Sequence, residues 1–215
     1  MKNIIAFILF CLLSCCTNAQ KLIEQHLNYS PGKKITMNLQ IADSIRIISW
    51  DKNEVYAKAS VNINDNKDND VYTTNFDAAG NCINITAKID DQKSKHRSDS
   101  GNCNCNYHSA IYWDVYVPRD ADFSVETING NIIIEGKTGA VKAHSISGFI
   151  DFQFAASRKA DLKMSTISGT IYTDLAINSG GKGRGGNEVS YEYNGGGEDV
   201  DLETISGDIY LRKAR

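Results

Sequence analysis

Two side chains of the sequence are suited to acid–base chemistry, Glu126 and His144. They occupy the same position in two successive copies of a repeated segment, so stacking of the repeats would bring a carboxylate beside an imidazole. Enzymes that cleave polysaccharides use paired carboxylates, or a base beside a cation or metal. No pair of acidic residues recurs at the repeat spacing, and charged side chains usually form solvated faces. The sequence therefore predicts no catalytic residues, with an enzyme that uses the Glu126 and His144 rows as the alternative.

Three cysteines outside the N-terminal segment, Cys82, Cys103 and Cys105, offer thiol chemistry. In an oxidising compartment, Cys82 could pair with Cys103 or with Cys105 and leave one thiol over. Cys103 and Cys105 could instead hold a metal together with His108. Zinc sites usually place about two to four residues between paired cysteines rather than one, and no fourth ligand is evident. A disulfide is therefore a candidate with its pairing left open, and no metal site is predicted.

Two further segments resemble ligand-binding loops only in part. Residues 62–70 (NINDNKDND) are rich in oxygen ligands, but Asn69 stands where a calcium loop would need glycine, and Lys67 lies among the acids. This segment is therefore predicted to be a solvated hairpin loop. Residues 181–186 (GKGRGG) lack the phosphate-binding pattern GxxxxGK[ST]. No cofactor is predicted.

Residues 1–19 have the features of an export signal. Lys2 is followed by an apolar run over residues 4–13, which is too short for a membrane-spanning helix of about 20 residues. Residues 12–15 (LLSC) resemble a bacterial lipobox, in which Cys15 would carry the lipid, whereas residues 17–19 (TNA) resemble an ordinary cleavage site. The alternatives are thus a lipid-anchored outer-membrane protein and a soluble periplasmic protein of the cell envelope. In both, the chain would contact the membrane at most through a lipid.

The composition excludes several classes of protein. The chain has 215 residues, of which 41% are hydrophobic and 23% charged, so it carries enough apolar material for a folded core. The net charge is −3, and no basic stripe is present that could neutralise nucleic-acid phosphates. We therefore expect residues 20–215 to form a single domain that does not bind nucleic acid.

Four segments of equal length align without gaps between Phe123 and Leu211. They share the pattern apolar-x-apolar-x-[ST]-I-[SN]-G-x-I-x-apolar, with one polar final residue, and the interval before the fourth segment is about twice as long as the other two. The segments are FSVETINGNIII (123–134), VKAHSISGFIDF (141–152), LKMSTISGTIYT (162–173) and VDLETISGDIYL (200–211). Because one such unit cannot bury its apolar face alone, the pattern predicts an all-β domain of stacked repeats, similar to a β-solenoid or β-roll.

Each repeat contains two alternating apolar runs of opposite parity, which predicts a bend between them. The pattern assigns the central isoleucine, Ile128 in the first repeat, to the second, inward-facing run. Hydroxyl residues lie at the predicted bend and are expected to bond local backbone: Thr127, Ser145, Thr166 and Thr204. Glycines follow, and they predict a turn or a close approach of two backbones: Gly130, Gly148, Gly169 and Gly207.

Two outward-facing sets of side chains could contact a ligand. One is a Ser/Asn ladder beside the glycines, predicted mainly to satisfy the turn, with hydrogen bonding to a polysaccharide or another surface as the alternative: Asn129, Ser147, Ser168 and Ser206. The other is the pair Tyr172 and Tyr210, which could form a stacking platform for sugar rings. Aromatic residues on strand faces are also ordinary β-formers, so this pair does not by itself indicate a ligand.

The upstream residues 35–118 are predicted to form irregular strands and hairpins. Alternating apolar residues indicate strands, and residues 72–76 are expected to pair with residues 81–89 in a hairpin. The pattern around residues 22–27 is compatible with a short helical turn. Polar loops are expected at residues 92–106 and 179–197, the latter with a strand near its centre.

Residues 117–123 (VPRDADF) and the TI[SN]GxI repeats that follow resemble the DUF4097 family of putative adhesins of the bacterial envelope. Residues 47–55 (IISWDKNEV) also resemble the early strand pair of that family. The resemblance covers residues 35–215 and implies a right-handed β-solenoid-like domain in an exported protein of Bacteroidetes-like bacteria. It implies no activity and no catalytic residues. The chain departs from the regular repeat spacing at residues 174–199, which leaves the number of rungs there open.

These observations predict a non-catalytic, exported cell-envelope protein, an adhesin-like binding module of the surface or periplasm. Its partner is left open between an envelope protein and a polysaccharide. One alternative is a polysaccharide-acting enzyme built on a β-solenoid. Another is a structural or self-associating envelope component, because an uncovered sheet edge can pair with another chain.

Overall fold

The computed structural model describes residues 20–93, 108–177 and 187–214 and consists almost entirely of β-strands. Within these ranges, two short 3₁₀ turns, Asn69–Val71 and Asp91–Lys93, are the only helical segments. None of the described helical segments is long and apolar enough to cross a membrane. The export segment 1–19 with Cys15, and also Cys103 and Cys105, lie outside the described residues.

Fifteen strands are described, numbered here in chain order. Strands β1 to β7 are Lys21–Asn28, Lys34–Leu39, Ile41–Trp50, Glu54–Ile63, Tyr72–Asp77, Cys82–Ile89 and Ser109–Pro118. Strands β8 to β15 are Phe123–Glu135, Val141–Ser147, Ile150–Phe154, Ala160–Thr166, Ile171–Thr173, Asn187–Tyr193, Glu198–Ser206 and Ile209–Lys213.

All the strands belong to one large sheet, in which they form two rows that share β8. The first row runs β5, β6, β2, β8, β9, β14, β11, β13, and the second row runs β1, β4, β7, β3, β8, β10, β15, β12. The first half of β8 pairs with β2 and β9, and its second half pairs with β3 and β10. Most pairs are parallel, but antiparallel partners lie near the ends of the rows, as in β5 with β6 and β13 with β11.

The four repeats pair in parallel, but not in chain order. The fourth repeat, in β14 and β15, lies between the second repeat, in β9 and β10, and the third, in β11 and β12. The long interval before the fourth repeat contains β13, which runs back antiparallel along β11. The chain therefore reverses before β14 inserts between β9 and β11, within the interval 174–199 where the sequence departs from the regular repeat spacing.

The inward faces of the two rows form one hydrophobic core. Alternation places every second side chain of a strand on this face, as in β2, where Ile35, Met37 and Leu39 are fully buried. The apolar face of β7 is likewise buried, and the Trp113 indole N–H donates to the Tyr72 hydroxyl at 2.9 Å. Burial of these side chains is the main stabilising contribution of the sheet.

The bend in each repeat lies one step later than the sequence predicted. In β8 the buried series is Phe123, Val125 and Thr127, followed by Gly130, Ile132 and Ile134. The central Ile128, assigned from the sequence to the inward face, is 48% exposed, and Thr127 takes the buried position. The sequence-based assignment failed because a buried hydroxyl can be stabilised by a hydrogen bond to a bend carbonyl, which the apolar pattern does not reveal.

Upstream, one expectation was wrong and another was confirmed. Residues 22–27 form no helical turn, because they belong to β1, which pairs antiparallel with β4 over its whole length. The predicted hairpin is present as β5 paired with β6. Residues 62–70 make a turn held by its own amides, and Asp68 and Asn69 are buried rather than solvated.

Candidate functional site

Each repeat crosses from the first row to the second at its TI[SN]G residues, and we call this bend the repeat corner. The buried hydroxyl that precedes the isoleucine donates to a backbone carbonyl at the corner. Ser145 donates to the Gly130 carbonyl at 3.0 Å, and Thr204 donates to the Gly207 carbonyl at 2.7 Å. These bonds satisfy carbonyls that the bend removes from the regular strand ladder, as the sequence predicted for the hydroxyl row.

The repeat glycines lie directly over one another in the order Gly130, Gly148, Gly207 and Gly169. A Cβ on Gly148 would collide with the Gly130 carbonyl oxygen, and a Cβ on Gly207 would collide with that of Gly148. Gly148 also has φ +144°, a conformation that disfavours other residues. The glycines therefore permit the close backbone approach that stacks the corners, and they are structural rather than ligand-contacting residues.

The outer surface of the corners carries two exposed rows, which we call the corner ladder. One row is apolar and the other is polar, and their members lie on adjacent strands about 4.8 Å apart. In strand order they are Ile128, Ile146, Ile205 and Ile167, and Asn129, Ser147, Ser206 and Ser168. The four isoleucines are between 37% and 67% exposed.

The polar row of the corner ladder does not hold the turn together, contrary to the structural role that the sequence favoured for it. Within the described part of the chain, none of its four side chains makes an intramolecular hydrogen bond. The corner is satisfied by the buried hydroxyls, and by outward groups such as Asn131, whose Oδ1 accepts from the Phe149 N–H at 3.2 Å. The ladder is thus a fixed array of free donors and acceptors beside an apolar stripe.

In the first row of strands, β8, β9 and β14 place the candidate acid–base residues side by side. His144 lies in register between Glu126 and Glu203, and its Nδ1 is 3.6 Å from a Glu203 carboxylate oxygen. A groove of about 510 Å³ runs along the same face and is lined by alternating charges, among them Lys163, whose Nζ is 3.8 Å from Asp201. No group of three or more metal-ligating side chains occurs among the described residues. This face has the charge pairing of a solvated strand surface.

In the second row of strands, Tyr172 on β12 and Tyr210 on β15 lie opposite each other on adjacent strands. Their rings are stacked, with centroids 5.1 Å apart and planes 10° apart. The edge of Phe149 packs against Tyr210, with centroids 6.0 Å apart. A hydrogen bond to Asp208 raises the pKa of the Tyr210 hydroxyl, which therefore remains a neutral donor well above neutral pH.

A second aromatic group, which the sequence reasoning missed, lies on the outward face of β1, β3, β4 and β7. It consists of His26, Tyr56, Trp50 and Tyr116, with ring centroids between 4.4 and 6.1 Å apart. Lys52 covers the Trp50 ring, with its Nζ 4.5 Å from the centroid. The outward parity of Tyr56 and Tyr116 on predicted strands was the available signal, whereas His26 lies in the segment expected to form a helical turn. Because the rings cover one another, this group stabilises strand pairing.

Cys82, at the start of β6, is exposed, and both of its candidate partners lie outside the described residues. The disulfide therefore stays a prediction. His108 lies at the start of the second described range, and its backbone N–H donates to the Asn64 side chain at 3.1 Å. The remaining predicted ligands of a metal at His108 are Cys103 and Cys105, so that alternative also lies outside the described part of the chain.

Comparison with known proteins finds structural similarity but no sequence match. No family model and no curated protein matches the chain. The fold is similar to the crystal structure of a putative cell adhesion protein from Clostridium sporogenes, with a TM-score of 0.51 and 13% identity over 90% of this chain and 100% of that one. A putative adhesin from Bacteroides fragilis aligns over 91% of this chain and 98% of its own, with 9% identity and a TM-score of 0.26. Because the sequence identity is so low, the first likeness concerns the fold alone, and the second superposition is too loose to add to it.

Proposed function

We propose that this protein is a non-catalytic, exported cell-envelope protein, an adhesin-like module that binds its partner through the corner ladder. The observation that carries this proposal is the ladder itself, four aligned exposed isoleucines beside four side chains without intramolecular hydrogen bonds among the described residues. An apolar stripe flanked by free donors and acceptors has the composition of a protein contact surface rather than of a reaction site.

The corner ladder is also rigid. The stacked glycines and the buried hydroxyls fix the backbone of every corner, so few side chains and no loops need to be ordered when a partner binds. The ladder contains only β-branched, hydroxyl and amide side chains, which have few rotamers to lose. Binding of an extended partner along the ladder would therefore cost little conformational entropy.

Two finer assignments accompany this proposal. The repeats are proposed to form a β-solenoid-like stack of the DUF4097 type, in which the fourth repeat is displaced in order; the parallel pairing of all four repeats supports this. The export segment is proposed to place the protein in the cell envelope, either with a lipid on Cys15 or as a soluble periplasmic protein.

The test incubates the purified protein with a panel of bacterial cell-wall and polysaccharide preparations and measures protein depletion and released sugar ends in the same tubes. Depletion without sugar release is the expected result. The double variant Ile146→Thr/Ile205→Thr should reduce depletion at least about tenfold, because it interrupts the apolar row in the middle. The control Leu22→Thr removes an apolar side chain of β1 that is even more exposed than Ile146 or Ile205, and it should change nothing. Depletion that is insensitive to the ladder variant would overturn the proposal.

A polysaccharide-acting enzyme is the second candidate, because His144 lies between two carboxylates in register. Release of sugar ends that is abolished by His144→Ala would favour this candidate over a binding module. The His144 side chain is partly exposed on the outward face of β9, so this variant should fold normally.

A further inference from the structure

The stack formed by Tyr210 and Tyr172 ends at the edge of the second row. Among the described residues, β12 pairs with β15 on one side and with no strand on the other. Tyr172 is 48% exposed, and its ring is nearly parallel to that of Tyr210. One face of the Tyr172 ring is therefore covered by Tyr210, whereas none of the described strands covers the opposite face.

The ring beneath Tyr172 is held in place from two directions. The Phe149 ring meets Tyr210 edge-on, at an interplanar angle of 85°. The Tyr210 hydroxyl donates to Asp208 Oδ2 at 3.1 Å, and Asp208 Oδ1 accepts from the Thr170 N–H at 2.8 Å. Through Asp208, Tyr210 is thus linked to the backbone directly before β12, the strand that carries Tyr172. A stacking face built on such a support is pre-organised, which lowers the entropic cost of binding.

Oriented carboxylates lie beside the supporting ring Tyr210 and at the end of β12. Asp151 lies in register with Tyr210 and accepts from Arg212 Nε at 2.9 Å. Asp174 follows β12, and its Oδ1 accepts from the Lys213 N–H at 2.7 Å. Carboxylates have further lone pairs that can accept from hydroxyl groups. An exposed aromatic face with the Asp174 carboxylate two residues along the chain matches the two sides of a sugar ring, a flat set of C–H bonds and a periphery of hydroxyls.

We propose that the open face of Tyr172 is a subsite for one ring of a neutral β-1,4-linked oligosaccharide of glucose-type configuration. In such a ring the substituents are equatorial, so both faces present C–H bonds that can lie flat on an aromatic ring. Arg212 neutralises Asp151, but Asp174 and Asp208 form no ion pair among the described residues and disfavour acidic sugars by charge repulsion. This proposal rests on the proposed binding function and deepens it, because it names a class of ligand.

The N-terminal aromatic group does not offer an equivalent face. Trp50 is covered by Lys52, and Tyr56 lies between His26 and Tyr116. The terminal ring of that group is His26 on the edge strand β1, a small imidazole that is hydrogen-bonded to Glu54 at 3.2 Å. Tyr172 ends the opposite side of the row with a phenol ring, and none of the described rings stacks on its outer face. The Tyr172 subsite therefore follows from the edge of the sheet rather than from aromatic content alone.

The test is saturation-transfer NMR of the full protein with cellotetraose and chitotetraose as probes. Irradiation of aromatic protons should transfer most strongly to the C–H protons of one sugar face. Tyr172→Ala should weaken binding about tenfold, which is the scale of one lost aromatic stacking contact. Tyr172→Phe should bind as the wild type does, because the ring face is retained. Tyr112→Ala, which removes a similarly exposed tyrosine from β7, is the matched control and should also leave binding unchanged.

Three results would overturn the subsite: no transfer to either probe in the wild-type protein, equal transfer in Tyr172→Ala, or equally strong binding of tetragalacturonate. The wild-type transfer map does not depend on the folding of any variant. Failure of the subsite and failure of the proposed function remain distinguishable. A protein that is depleted by cell-wall material but binds neither probe retains the corner-ladder function and loses only the sugar subsite.

Discussion

The repeat corners and the corner between β2 and β3 solve the same problem with different residues. In the repeats, the hydroxyls of Ser145 and Thr204 donate to glycine carbonyls of the corner stack. At the β2–β3 corner, the repeat hydroxyl of Thr127 reaches the Gln40 carbonyl at 3.4 Å, but the next carbonyl, Ile41, accepts from the Tyr72 hydroxyl at 3.2 Å. Tyr72 lies on β5, 31 residues further along the chain. Both arrangements supply a donor to a carbonyl that the bend removes from the strand ladder.

This difference shows how repetition changes what a sequence reveals. A donor supplied from within every repeat leaves a recurring hydroxyl, which can be read from the chain. A donor supplied once, from a distant strand, leaves no pattern. The two arrangements also differ in how many strands one side chain supports. The Tyr72 hydroxyl accepts a hydrogen bond from Trp113 on β7 and donates one to the Ile41 carbonyl on β3, so it supports two strands at once. The upstream corner should therefore depend on a single residue more strongly than any one repeat corner does.

The largest expected effect comes from breaking the glycine stack of the repeat corners. Gly148→Ala combines a positive φ with a collision against the Gly130 carbonyl, and it should lower the free energy of unfolding by about 4 kcal/mol. Denaturant unfolding of the purified protein measures this change. Gly80→Ala is the control, since it also has positive φ but no atom within 4 Å of the new Cβ, and it should cost only about 1 kcal/mol. Equal losses in both variants would show that close approach of the glycines does not matter.

The next effect tests the upstream corner. Tyr72→Phe removes the hydroxyl and leaves the Trp113 N–H and the Ile41 carbonyl without a partner in a buried site, which should cost about 2–3 kcal/mol. The ring remains, so packing is preserved. A loss below about 0.5 kcal/mol, within the range of ordinary surface changes, would mean that the corner carbonyl needs no donor.

The pH dependence of the free energy of unfolding gives a second test of the role of Tyr72. Burial raises the pKa of Tyr72 from 10.0 to about 12. Between these pH values the unfolded chain releases the proton while the folded chain keeps it, so the stability due to this group is complete below pH 10 and falls as the pH rises towards 12. The loss amounts to about 2–3 kcal/mol. Tyr72→Phe lacks this term, and the stability difference between wild type and variant should narrow from pH 10 to pH 12. A constant difference across that range would contradict the assignment.

The smallest effect comes from a single hydroxyl of a repeat corner. Thr204→Val keeps the shape of the buried side chain and removes one donor to the Gly207 carbonyl, which still accepts from Thr166 at 2.9 Å. The expected loss is about 1 kcal/mol, less than for Tyr72→Phe, because the carbonyl keeps a partner. Thr36→Val, on the exposed face of β2, is the matched control and should lie within about 0.5 kcal/mol of the wild type. A loss at Thr204 as large as that at Tyr72 would remove the distinction between the two kinds of corner.

The all-β fold and the repeat positions were predictable because strand alternation and the TI[SN]G pattern are local properties. The hairpin of β5 and β6 was predictable for the same reason. The exposure of Ile128 was not predictable, because the apolar pattern assigns an isoleucine to the inward face. The fold instead buries Thr127, whose hydroxyl lies 3.4 Å from the carbonyl of Gln40, between β2 and β3. Of the candidate sites, the tyrosine pair was visible as two residues, but the open face of Tyr172 depends on which strand ends the row.

The sequence by itself determined which segments become strands, which residues form the corners and that the glycines must lie close to other backbone. These features depend on side-chain parity and on the absence of a Cβ, which each repeat carries within its own short segment. Only the tertiary structure decided the order in which the repeats stack. Parallel pairing depends on contacts between distant segments, and the reversal through β13 allows the fourth repeat to enter between the second and the third. That order makes β12 the edge strand and leaves Tyr172 as the last ring of its row.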